Sequence, residues 1–148
     1  MFSYRRVKRV IAIVLLPVEV WCLERGVEFS TYGSWTLQIK RLKLGIEPDE
    51  CYIFGRGRDG ERTHLAIEVI WTSGGLDKLE VYAKLGVREV WHWRRGRISV
   101  HVLRGARYRR ASGSKALLGI DLKQLASFLD RESTSAAMKE YRVALRGN

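Results

Sequence analysis

The chain has 148 residues, 46% hydrophobic and 29% charged. That is the size and make-up of one globular domain, and it excludes a disordered or low-complexity chain. Lysine and arginine number 27 against 16 acids, a formal charge of +11, which suits a polyanionic partner such as nucleic acid, or else a generally basic surface.

The first predicted element is a helix over 4–25. Val7, Val10, Ile11, Val14, Leu15 and Val18 recur at helical spacing. Pro17 is expected to kink or interrupt it, and Gly26 is a natural stop. Arg5, Arg6, Lys8 and Arg9 ahead of the apolar run at 10–18 imitate a secretory signal. No small-residue cleavage site follows, and the run is too short to span a bilayer, so no membrane association is expected. Two cysteines, Cys22 and Cys51, make neither a disulfide framework nor a four-ligand zinc site. They read as buried free thiols in a reducing cytoplasm.

Two short strands follow, near 27–31 and 35–40, with Tyr32, Gly33 and Ser34 turning between them. A loop carrying Lys40, Arg41 and Lys43 leads to Glu47, Pro48 and Asp49, and 49–54 reads as a strand. Past a charged turn at 56–63, residues 65–71 are nearly all apolar, as in a strand buried on both faces. Residues 72–75 form a turn and helix start, and a helix over 76–85 is closed by Gly86. Strands at 88–94 and 97–103 meet at an Arg95-Gly96 hairpin turn. A short strand near 107–110 and helices at 121–129 and 133–146 complete the order. It describes a single α/β domain over 1–148, a mixed sheet with helices packed on it.

Glu68 interrupts the apolar strand between Ile67 and Val69. A lone carboxylate there would cost several kcal/mol or be forced neutral, so it needs a metal, a cation or water beside it. Asp49 heads another strand. If the two strands pair, about 4.8 Å apart, both carboxylates reach one ion. Carboxylates plus water suit Mg²⁺. The alternative is a buried salt bridge at Glu68 and a simple turn cap at Asp49. Lys78, on the following helix, shares a face with Tyr82 and either points back at the carboxylates or stands solvated. Arg94, Arg95 and Arg97 surround the hairpin tip, where they either clamp phosphates or form a solvated rim. His64, His92 and His101 show no metal-ligand spacing.

The segments EPDECYIFG (47–55), LAIEVIWTSGGLDKLEVYAKLGVREVWHW (65–93) and GSWTL (33–37) resemble the Uma-two family, a bacterial branch of the PD-(D/E)xK nuclease superfamily. The resemblance implies a restriction-endonuclease-like fold, a mixed central β-sheet flanked by α-helices. It implies a DNA endonuclease using Mg²⁺ or Mn²⁺. Asp49 and Glu68 match the metal-binding acids, and Lys78 matches a lysine moved from strand to helix. Tyr82 matches a frequent aromatic of that helix, and Lys40, Arg41, Arg94, Arg95 and Arg97 are the expected DNA contacts. Glu19 or Glu24 is a candidate third acid or else a helix-surface charge. A homodimer would suit cutting of both strands. Members usually carry an extra segment before the first helix, and its absence here is expected to expose a sheet edge. The rival reading is a non-catalytic nucleic-acid-binding or vestigial relative of the same fold.

Overall fold

The structure, a computed structural model, describes residues 4–31, 50–55, 63–70 and 78–147. Helix α1 (Tyr4–Arg25) leads to strands β1 (Phe29–Thr31), β2 (Glu50–Phe54) and β3 (Leu65–Val69). Helix α2 (Lys78–Leu85) crosses to β4 (Glu89–Arg94), followed by β5 (Arg97–Arg104), β6 (Arg107–Ala111), α3 (Leu122–Ser127) and α4 (Thr134–Arg146). The strand expected at 35–40 and its turn at 32–34 lie outside the described residues, as do residues 41–49, 56–62 and 71–77.

Helix α1 is continuous through Pro17, so the expected interruption does not occur. A helix-interior proline loses its own amide hydrogen bond. Burial of Leu15, Pro17, Val18, Trp21 and Cys22 offsets that loss around the proline. Gly26 (φ +68°) and Gly86 (φ +73°) end α1 and α2 in the left-handed region, which costs glycine nothing. Asp121 and Ser133 cap α3 and α4 by accepting from the amides of Gln124 and Ala136, at 3.0 and 3.1 Å.

The described residues form one six-stranded sheet in the order β1-β2-β3-β4-β5-β6. Strands β3 and β4 run parallel, across the α2 crossover, and the other neighbours are antiparallel. Alternation along each strand sends side chains to two faces, both covered at the centre of the sheet. On one face Leu65, Ile67, Tyr52, Trp91 and Val100 pack with Val18 and Trp21 of α1, Leu125 of α3 and Tyr141 of α4. On the other, Cys51, Ala66 and Val90 pack with Tyr82, Leu79 and Leu85 of α2. All five residues of β3 are therefore buried, as the apolar run required. This is the expected α/β architecture, a mixed sheet flanked by helices.

Two polar anchors fix the frame. Glu89, 1% exposed, accepts from the Trp91 indole at 2.7 Å and the Ser114 hydroxyl at 2.5 Å. It also accepts from the amides of Lys115 and Ala116 at 2.7 and 3.2 Å. The segment after β6 is thereby pinned over β4. Glu24 of α1 takes Arg142 Nε at 2.8 Å and Arg146 Nε at 3.0 Å, tying α1 to α4. Both cysteines are buried free thiols; burial pushes Cys22 up to about 12.

Candidate active site

Glu68 is the fourth residue of β3, and alternation turns it to the α2 face beside Ala66. It is 5% exposed. Helix α2 opens with Lys78 and carries Tyr82 one turn later, so both side chains reach the same strand. The buried Tyr82 hydroxyl donates to Glu68 Oε1. Lys78 Nζ lies 3.5 Å from Oε2, with its side chain 48% exposed. One oxygen is thus held by a buried hydroxyl, and the other meets a cation that reaches solvent. That pairing answers the desolvation cost of a carboxylate in the sheet.

The parallel register makes His92 of β4 the partner of Glu68, and the antiparallel register makes Arg110 of β6 the partner of His101. The rings of His92 and His101 stand 4.6 Å apart. Ser99 Oγ lies 3.3 Å from His101 Nε2. A polar row of Glu68, His92, His101 and Arg110 therefore crosses β3 to β6 on one face. Burial, and then the charges of His101 and Lys78, push His92 down to about 4. Burial and Arg110 lower His101 as well. Among the described residues His92 Nε2 has no hydrogen-bond partner.

The other expected residues fall as follows. Arg94 and Arg97 are exposed partners across the β4–β5 hairpin, and Arg95 is at its tip. Lys40, Arg41 and Asp49 lie outside the described residues. The candidate third acids do not join Glu68. Glu24 is held by α4, and Glu19 accepts from Tyr52, whose strand position faces the α1 side. Sequence reasoning missed His92 and His101 as site neighbours; counting outward from the Arg95-Gly96 turn brings them together.

A cleft of about 1300 Å³ opens along this region, lined among others by His92, Arg94, Arg97, His101, Arg110 and Lys123. Among the described residues no three of His, Cys, Asp and Glu gather as a metal-ligand set. Mg²⁺ and Mn²⁺ are held through one or two carboxylates plus water, and the hard oxygens of Glu68 fit that chemistry. No described helix is long and apolar enough to cross a membrane.

The Uma-two (Uma2) family model, described as "Putative restriction endonuclease", matches residues 6–128. That span runs from the first turn of α1 through α3 and holds every candidate site residue. No curated protein and no solved structure matches the chain.

Proposed function

This chain belongs to the Uma-two family, and on that premise we propose that it hydrolyses phosphodiester bonds of DNA with Mg²⁺ or Mn²⁺ held by Glu68 and Asp49. The observation that carries the reading is Glu68, a buried strand carboxylate facing a half-exposed lysine and a buried tyrosine hydroxyl. Asp49 immediately precedes β2 in the chain, and Glu50, the first residue of β2, pairs with Ile67, the neighbour of Glu68.

A metal bound there supplies Lewis acidity and a more acidic water. The chain's own residues do the rest. Tyr82 fixes the Glu68 carboxylate by hydrogen bonding to Oε1, and Oε2 faces Lys78. Lys78 keeps its ammonium at the solvent side of that carboxylate, where a phosphate oxygen gaining charge can meet it. A cytoplasmic location and a homodimer that cuts both strands belong to the same proposal.

The test is plasmid cleavage with Mg²⁺ or Mn²⁺ by wild type, Asp49→Ala, Glu68→Ala and Lys78→Ala, each first checked by thermal melting. Metal-dependent cutting should be abolished by either acid substitution and slowed about 100-fold by Lys78→Ala. Cutting that survives loss of both acids would place the chemistry elsewhere. A folded wild type that cuts nothing would leave the non-catalytic binding relative as the reading.

A further inference from the structure

The cleft beside the strand partner of Glu68 has a predominantly basic lining among the described residues. Arg94, Arg97, Arg110 and Lys123 are exposed along it, and none has an ion-pair partner among the described residues. Among the described lining residues Asp121 is the one acid, and its carboxylate caps α3 by accepting from Gln124. Arg94 and Arg97 face each other directly across the hairpin, an arrangement that like charges oppose. Such a concentration attracts a polyanion and focuses its field in the concavity.

The cleft's position has a cause in the sheet. Strand β6 ends at Ala111 opposite Val100, so Arg97, Ile98 and Ser99 run on past its end. The cleft wraps this stretch of β5, with Arg110 on one side and Lys123 of α3 on the other. Its inner wall includes His92, the strand partner of Glu68. His92 is 3% exposed, and its Nε2 lacks a partner among the described residues. A buried polar atom left over at the junction of a basic cleft and a candidate active site points to a ligand that completes it.

We propose that this cleft seats a nucleic-acid backbone, whose phosphates are held by Arg94, Arg97, Arg110 and Lys123 as the strand runs outward from Glu68. The placing of the reacting phosphate rests on the nuclease reading; the binding does not. The volume, about 1300 Å³, exceeds the roughly 300–1,000 Å³ of small-molecule pockets. Arginine donors suit phosphate oxygens by geometry as well as charge.

The experiment is fluorescence anisotropy of a labelled DNA duplex with EDTA present, so that no metal-dependent cutting occurs. Wild type is compared with Arg110→Ala/Lys123→Ala and with Lys84→Ala/Lys139→Ala, which removes equal charge from exposed positions outside the cleft. The cleft variant should bind about tenfold more weakly, with its salt-dependence slope reduced by about two, and the control should bind as wild type. Unchanged binding by the cleft variant, or an equal loss in the control, would overturn the proposal. If the cleft variant melts abnormally, Arg94→Gln/Arg97→Gln at the exposed hairpin end is read by the same criteria. Weakened binding without any plasmid cutting keeps the cleft and removes the nuclease. Plasmid cutting with unchanged binding removes the cleft and keeps the nuclease.

Discussion

Glu68, Tyr82 and His92 are nearly closed to solvent, and their immediate partners determine what each contributes. His92 is held neutral, with its titration moved from near 6.5 to about 4 chiefly by burial. An unfolded chain takes up that proton as pH falls below about 6.5, and the folded chain does not until about pH 4. The contribution is therefore complete above pH 6.5 and lost through this window, by roughly 3 kcal/mol in all. Urea unfolding at pH 7 and pH 4.5 should show wild type losing about 2 kcal/mol more than His92→Leu. Equal losses would assign the acid sensitivity to other groups. Glu68 was legible in the sequence because an acid in an apolar strand contradicts its surroundings. The contact between His92 and His101 was hidden by their separation along the chain. It was recoverable, since a two-residue turn fixes register: Arg94 opposite Arg97 sets His92 opposite Ser99. Two residues beyond Ser99 on the same face is His101.

At the scale of elements, order was read well where local chemistry was strong. Glycines closed the first two helices, Asp121 and Ser133 opened the last two, and Arg95-Gly96 made the hairpin, with both residues at positive φ. Pro17 does not interrupt α1, because tertiary burial outweighs propensity. The Glu89 anchor was not legible. Its partners lie at 114–116, in a stretch with no periodicity, so nothing near β4 announced them. Replacing Glu89 by Ala leaves an indole, a hydroxyl and two amides without their acceptor. The cost should be at least about 3 kcal/mol in urea unfolding, well above the few tenths typical of surface changes. A loss below about 1 kcal/mol would mean that water replaces the carboxylate without penalty.

Across the whole molecule, the order of strands in space follows their order in the chain. Most sheet contacts are therefore made between neighbours in sequence. The long closure is the pairing of α1 with α4, carried by buried Trp21, Cys22, Tyr141 and Leu145 and by the Glu24 clamp. Glu24→Ala should lower the melting temperature by a few degrees and speed limited proteolysis of α4. A native digestion pattern would show that apolar packing alone holds the two helices together. The basic excess in the sequence suited a polyanionic partner without locating a surface for it. The gathering of Arg94, Arg97, Arg110 and Lys123 about the hairpin end of β5 depends on where β6 stops, which no local signal marks.

The parallel β3–β4 pair carries a further consequence for synthesis. Glu68, Lys78, Tyr82 and His92 all belong to one strand–helix–strand unit. On the ribosome, that unit emerges before the helices α3 and α4 that cover the opposite face of the sheet. A domain folds as a unit, and short separation in sequence lowers the entropic cost of closing a contact. The order of synthesis thus presents the Glu68–Lys78–Tyr82–His92 unit first, and the core on the other face of the sheet can close only once α3 and α4 have emerged.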